Sequence, residues 1–248
     1  MKFSIITVVK NNKSKILKTI NSIHRQKYKN FEYIVIDGNS KDGTTEEIKK
    51  KNKSFTKLKH IIRKDKNLYD GLNHGIKTSI GKYIVILHSG DVLISNNTLS
   101  LISKKILNYD AISGNVLFSK NKRTVRYWNY EIKKLTKFNS FKIPHTALIV
   151  KKEIIQKLNY YSTKYNISSD TDFILKMSKL KNLNFKNINK DLVVMDTGGL
   201  SNSTQNLKIK IIQDLKIYFH NFGIFFIFIY FYKIFYKFYK LIKWKILG

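Results

Sequence analysis

The 248-residue chain contains no cysteine, which removes disulfides, zinc thiolates and a cysteine nucleophile from consideration and fits a reducing compartment. Acidic residues are also scarce: 16 Asp+Glu stand against 47 Lys+Arg, a formal net charge of +31. Such an excess usually points to nucleic acid or an anionic membrane. Here the basic residues are scattered and nearly all Lys, mixed with abundant Asn, Ile, Phe and Tyr. Without an arginine-rich arm or a Cys/His zinc pattern, nucleic acid is not an expected partner, and a general compositional bias toward Lys accounts for the charge equally well. No secretory signal peptide is expected, because Met1-Lys2 runs straight into a strand-like segment. The first loop, Lys10-Asn11-Asn12, lacks glycine. That excludes a dinucleotide fingerprint or a P-loop there and speaks against the glycine-rich basic loop of a sugar nucleotidyltransferase.

What is present is a β-α-β-α pattern. The length and an apolar content of 43% suit one large α/β domain, or a domain with an appendage. Phe3 to Val9 is a buried-type strand, followed by a helix with Ile16, Leu17, Ile20, Ile23 and His24 on one side. Phe31 to Ile36 is a second strand ending at Asp37, and a polar helix begins near Thr44 or Thr45. Leu58 to Ile62 is a third strand; the helix from Tyr69 is expected to turn Leu72, Ile76 and Ile80 inward. Asp65 and Asp70 beside it suit a ligand-facing rim, or equally an Asx turn and a helix cap. Alternation of this kind specifies a parallel sheet with right-handed crossovers.

The run Gly81-Lys82-Tyr83-Ile84-Val85-Ile86-Leu87-His88-Ser89-Gly90-Asp91 is a strand buried on both faces that ends in a carboxylate. Ligands of open α/β sheets gather beyond the carboxyl ends of the strands, so Asp91 stands where a phosphate-bound Mg²⁺ or Mn²⁺ is held, one carboxylate often sufficing. An ordinary turn with Asp91 capping the next helix is the plainer alternative.

Four ordered motifs now carry a resemblance. Ser4-Ile5-Ile6-Thr7 through Asn11, Tyr33 through Thr44, Asp65 through Ile76, and Gly81 through Asp91 resemble the family 2 glycosyltransferases, over roughly the first 200 residues. The likeness is to the bacterial branch that builds surface polysaccharide and lipopolysaccharide. It implies an α/β GT-A fold, a nucleotide-diphospho-sugar transferase with a mostly parallel central sheet flanked by helices. It also implies donor contacts at Thr7, Asn11, Asp37, Asp65, Tyr69, Asn73, His88 and Gly90, with Thr7 and Asp37 on the base. Asp91 is then the metal ligand of the DXD-type motif, with Mn²⁺ or Mg²⁺ as cofactor. His88 and Gly90 stand where many members carry acids or Asn, so only Asp91 keeps acidic chemistry and His88 is left to hydrogen-bond ribose or phosphate. Arg63-Lys64 replace small and acidic residues of the family and read as solvated positions.

Downstream, a helix from about Asn97 to Leu107 and a strand from Ala111 to Phe118 continue the pattern; Lys120 to Tyr130 suits a surface hairpin or an acceptor-side insertion. Pro144-His145 is expected to open a strand through Val150; the resemblance puts His145 in the acceptor pocket, whereas a lone His there is often structural. Ser168, Ser169, Asp170 and Asp172 precede a helix carrying Phe173, Ile174, Met177 and Leu180, where Ser and Asp also serve as plain caps. By resemblance Asp170 is the general base and Asp172 its support, Ser169 replacing the family Glu. A solvated Asp titrates near about 3.9, so a useful base here needs burial or neighbouring phosphates to raise it. Asp196-Thr197-Gly198-Gly199-Leu200-Ser201 resembles the Gly-Gly-x-Ser segment closing such domains, or is a plain loop.

The organisation expected is therefore a glycosyltransferase domain over 1–205 and a helical tail over 206–248. In the tail Phe222 to Tyr232 is too short to span a bilayer, and Lys233, Lys237, Lys240 and Lys243 form one stripe at helical spacing. That suits a helix in the membrane interface with its lysines at anionic headgroups, or a helix packed on the domain or on a homodimer partner. The resulting expectation is an inverting, hexosyl-type transferase using a nucleotide-sugar, UDP-linked, and a lipid-linked or glycan acceptor, peripheral on the cytoplasmic side of the cell membrane. A sugar nucleotidyltransferase and a non-catalytic module for anionic polymers are the rivals.

Overall fold

Three parallel β-α steps begin the chain. In the computed structural model, which describes residues 1–120, 123–197 and 204–247, β1 (Phe3–Val9) leads to α1 (Lys13–His24), β2 (Phe31–Asp37) to α2 (Thr44–Ser54), and β3 (Leu58–Ile62) to α3 (Leu68–Thr78). Then follow β4 (Tyr83–Ile86), β5 (Val92–Leu93), α4 (Thr98–Lys105), β6 (Ala111–Lys120) and β7 (Arg123–Trp128). After these come β8 (Leu148–Lys151), α5 (Lys152–Lys157), α6 (Ser169–Ser178), β9 (Phe185–Asp196), α7 (Thr204–Phe222) and α8 (Phe226–Leu247). The described strands form one sheet in the order β3-β2-β1-β4-β8-β6-β9-β5, with β7 added to β6. β1 pairs in parallel with both β2 and β4, and β2 with β3. β8 is antiparallel to β4 and β6, while β9 returns parallel to β6.

Period two decides which side chain enters which core. Phe3 and Ile5 of β1, with Phe31, Tyr33 and Val35 of β2, face α1 and α4 on one side. Ile6, Ile34 and Ile36 face α3 and α6 on the other. The sheet is thus buried on both faces, which is why its first strands read as continuous apolar runs. Ile80, expected inside, is 64% exposed: α3 ends at Thr78, and an extended Ser79 turns the chain away from the helical face. His145 opens a 3-10 turn, His145–Ala147, and β8 starts only at Leu148. The expected hairpin after β6 is present as β7, antiparallel to it.

The tail folds back on itself. Gly223, at φ +56, sits between α7 and α8, and the arms run antiparallel, with Asp214 bonded to Lys233 and Tyr218 against Tyr230. This hairpin shares a small core with Leu175 of α6, and Phe141 meets Tyr232 and Tyr236 of α8. The lysine stripe faces the body of the protein. Lys233 is buried on Asp214, Lys237 lies over Trp128 and Lys240 donates to Asn129, so these three do not reach outward to headgroups as expected from the sequence. What faces outward is aromatic: Phe228 is 73% exposed, Phe235 68% and Phe231 65%.

Candidate active site

The carboxyl ends of β1 to β4 form one rim, and buried hydroxyls shape it. Thr19, on the apolar side of α1, donates to the Asp91 carbonyl at 2.8 Å and accepts from the Gly90 amide at 2.9 Å. It thereby holds the turn after β4. Gly90 has φ +106, and a Cβ there would press on Lys15 and Asp196, at 3.2 and 3.4 Å. Gly90 therefore serves the turn by having no side chain. Asp91 is 3% exposed. Its Oδ1 accepts from the Asp196 amide at 3.2 Å, and its Oδ2 is buried with no hydrogen-bond partner. Burial pushes its carboxyl up to about 7; Asp196 adds to this, while that amide bond and His145 oppose it. An oxygen-only group with a free buried atom suits a hard divalent cation. No group of three His, Cys, Asp or Glu gathers to hold an ion among the described residues, so a ligand's oxygens would have to complete the shell.

The expected base and the expected acceptor residue meet. Asp170, in the first turn of α6, accepts from His145 Nδ1 at 2.9 Å, and the Tyr69 hydroxyl lies 3.3 Å from its other oxygen. His145 Nε2 in turn lies 3.2 Å from His88 Nε2. Burial, then the neighbouring His145, push the His88 imidazole down to about 4, so His88 is neutral near pH 7. Burial alone would raise the Asp170 carboxyl, but His145 and Lys210 together hold it well below the usual carboxylate range. That reverses the upward shift expected of a lone base. Asp172 is not part of this row; it pairs with Lys176 at 2.6 Å.

Several expected donor contacts have internal partners. Thr7 is fully buried, donating to the Leu87 carbonyl at 2.7 Å and accepting from Tyr33 at 3.1 Å. Asn73 holds the Tyr161 backbone in both directions, at 2.7 and 3.0 Å, and the Tyr69 hydroxyl donates to the Ile167 carbonyl at 2.8 Å. These side chains make these bonds within the protein and brace the rim. Asp37 is buried and accepts from the Ser40 amide and hydroxyl and from Thr45; burial raises its carboxyl, but those bonds outweigh it and hold it low. Asn11, at φ +49, accepts from the Lys41 amide at 2.8 Å and lines an open depression of about 550 Å³ with Asp42 and Glu47.

Asp65, expected beside the donor, has both carboxylate oxygens buried without a hydrogen-bond partner. Its side chain is 7% exposed, Gly71 leaves it room, and a Cβ at that glycine would stand 2.8 Å from Oδ2. Burial raises its carboxyl, opposed by Arg63. Arg63 is no solvated bystander, since it pairs with Asp65 at 2.8 Å and with Asp70 at 3.3 Å. The cap of α3 is Asn67, whose side chain accepts from the Tyr69 and Asp70 amides, and not either Asp. The sequence reading also passed over Thr19 and Lys15, which bonds Asp196 at 2.8 Å. A Thr between Ile16, Ile20 and Ile23 on an apolar helix face was the available signal for the first. The Gly198-Gly199 segment lies outside the described residues.

A curled, mostly parallel sheet with this rim defines the GT-A class of glycosyltransferase folds. Residues 4–183 match the Glycosyl transferase family 2 domain, and the chain belongs to that family. An uncharacterised glycosyltransferase of Methanocaldococcus jannaschii is 30% identical over 185 residues, covering 68% of this chain and 62% of that protein. The GalNAc(5)-diNAcBac-PP-undecaprenol beta-1,3-glucosyltransferase of Campylobacter jejuni is 29% identical over 123 residues, covering 48% and 39%. The chain thus spans less than two thirds of the length of either relative. Among solved structures, S. aureus TarS in complex with UDP-GlcNAc superposes with a TM-score of 0.72 at 17% identity, covering 90% of this chain and 68% of that one. The mannosyltransferase PcManGT from Pyrobaculum calidifontis, in complex with GDP-Man and Mn2+, gives 0.64 at 16% identity, covering 88% and 63%.

Proposed function

We propose that the protein transfers a hexose-type sugar, with inversion, from a UDP-linked donor to a lipid-linked acceptor at the cytoplasmic face of a membrane, in cell-surface glycan synthesis. The observation that carries this reading is the pairing, within one site, of a buried carboxylate with a free oxygen, Asp91, and a His145–Asp170 couple at 2.9 Å. The UDP-GlcNAc complex of a neighbour of the same fold and the undecaprenol-linked acceptor named for the Campylobacter relative support the choice of donor and acceptor.

Asp91 Oδ2 would hold a Mg²⁺ or Mn²⁺ together with donor phosphate oxygens. When bound, the ion supplies positive charge to the departing diphosphate. Asp65 and the loop organised by Asp37 take the nucleoside side of the donor. The acceptor oxygen bonds to the anomeric carbon as the bond from that carbon to the diphosphate oxygen breaks, and the nucleoside diphosphate leaves. The acceptor proton passes to the His145–Asp170 couple. Asp170, held ionised and bonded to Nδ1, fixes the tautomer and stabilises positive charge on His145, whose side chain is the more exposed of the two, 33% against 17%. His145 takes the proton on Nε2, the nitrogen that otherwise lies 3.2 Å from the neutral His88 ring, and that contact opens as the acceptor hydroxyl arrives.

The outward aromatic face of α8 lays the site against the bilayer by apolar burial. By length and composition the 206–245 stretch passes as long and apolar enough to cross a membrane, but it folds back at Gly223, which favours lying in the interface. Incubating the full chain with labelled UDP-sugars, Mn²⁺ and a membrane extract tests the function. The expected outcome is label in the lipid-extractable fraction with release of UDP. Release of pyrophosphate from a sugar phosphate and an NTP, or salt-sensitive polymer binding without turnover, overturns it.

A further inference from the structure

Four cations collect where the hairpin meets the body. Lys210 of α7 acts electrostatically on Asp170, and so lies on the catalytic side. Lys233 of α8 is matched, its ammonium bonded to Asp214 at 2.7 Å with both side chains buried. Lys237, one turn further along, has no acid partner among the described residues; its Nζ stands 5.2 Å over the Trp128 ring. Arg126 of β7 shares that indole, with its guanidinium 4.6 Å from Trp128 and 5.0 Å from Phe118, and no carboxylate pairs with it among the described residues.

A lysine stripe turned to water would be unremarked in a chain of net charge +31. Cations turned inward without anions are expensive. Burial, then Lys233 and Lys210, push the Lys237 ammonium well below its ordinary range, and burial lowers Arg126 as well. The rings meet Arg126 at its guanidinium and the Lys237 ammonium over Trp128, contacts that use no N–H donor in a bond to an acid and leave donors for a ligand. Several donors around one spot match a group with several anionic oxygens. Lys210 acts on both Asp170 and Lys237, and Asp170 is bonded to His145, so the cluster adjoins the acceptor side of the site. The exposed aromatic residues of α8 lie on the other side of the same helix.

We propose that Arg126, Lys237 and Lys210 form the subsite for the phosphate groups of the acceptor, a diphosphate ester of a lipid. This rests on the transferase reading above and adds the chemical class that the acceptor must carry.

The test measures dissociation constants of neryl diphosphate and of UDP with Mn²⁺ for the full chain and for Lys237→Met, Arg126→Gln and the exposed control Lys245→Gln. A lost charge-assisted contact is worth about tenfold. Lys237→Met and Arg126→Gln should each weaken neryl diphosphate by about that factor and leave UDP within about twofold, with Lys245→Gln unchanged for both. Unchanged neryl diphosphate binding in both variants overturns the subsite. A parallel loss of UDP binding assigns the cations to the donor and also overturns it. Flotation with phosphatidylglycerol vesicles separates the remaining phosphate source: loss of attachment in Lys237→Met, matching its loss of neryl diphosphate, makes the cluster a headgroup site and overturns the acceptor assignment. Thermal unfolding checks the fold, and Arg126→Gln, at a half-buried position, reads the proposal should Lys237→Met not fold. Failure of the wild-type chain to bind UDP would sink the transferase reading while leaving the neryl diphosphate comparison intact.

Discussion

His145 Nδ1 lies 2.9 Å from the Asp170 carboxylate although the two residues come from different elements, a 3-10 turn before β8 and the first turn of α6. The carboxylate is thereby kept ionised and the imidazole kept in one tautomer. Proton acceptance becomes a property of the pair.

Replacing either member should therefore stop transfer without stopping donor binding. His145→Ala and Asp170→Asn are each expected to lower kcat by about a hundredfold or more, with the Kd for UDP little changed. Near-normal turnover in His145→Ala would return the base to Asp170 alone.

The low folded-state pKa of Asp170 also has a signature in stability. A depressed carboxylate contributes stability that is present above its unfolded value, about 3.9, and is lost as pH falls through the lower folded value. Asp170→Asn should be less stable than wild type near neutral pH, with a difference that holds down to about pH 5 and shrinks only below about pH 4. Denaturant titrations across this range check it; a gap that already closes between neutral pH and pH 5 would contradict the assigned direction.

Asp91→Ala is expected to abolish the Mn²⁺-dependent part of UDP binding and leave the metal-independent part. Calorimetry with and without Mn²⁺ reads this directly. Equal Mn²⁺ enhancement in the variant would place the ion elsewhere.

Asn73 distinguishes bracing from donor binding. Both of its bonds go to the Tyr161 backbone, so Asn73→Ala should cost roughly 2–3 kcal/mol of stability by stranding a buried amide and carbonyl, while the Kd for UDP stays put in the folded fraction. A stable variant with weakened UDP binding would restore the role expected from the sequence.

Membrane attachment should follow the aromatic face and not the lysines. Full-length protein is expected to float with phosphatidylcholine vesicles and to stay bound in about 0.5 M salt, since apolar burial is not screened. Substituting Phe228, Phe231 and Phe235 by Ser should release it. Release by salt alone, or a dimer lost with the same substitutions and no flotation, would point to headgroup charge or to a second subunit.

Sequence by itself determined the β-α-β-α start, the burial of β1 and β4 and the family, because period-two and helical patterns are local and four motifs kept their order and spacing. It also singled out Asp91, Asp170 and His145. It did not say that two of these touch, because side chains 25 positions apart in sequence meet only through the packing of α6 beside the turn before β8. The tail shows the limit most clearly. Helical spacing put Lys233, Lys237 and Lys240 on one stripe, but spacing is blind to which side faces the protein. That was decided by Asp214, Trp128 and Asn129, brought from α7 and from the end of β7 and just past it to meet the ammonium groups, leaving the phenylalanines to face outward.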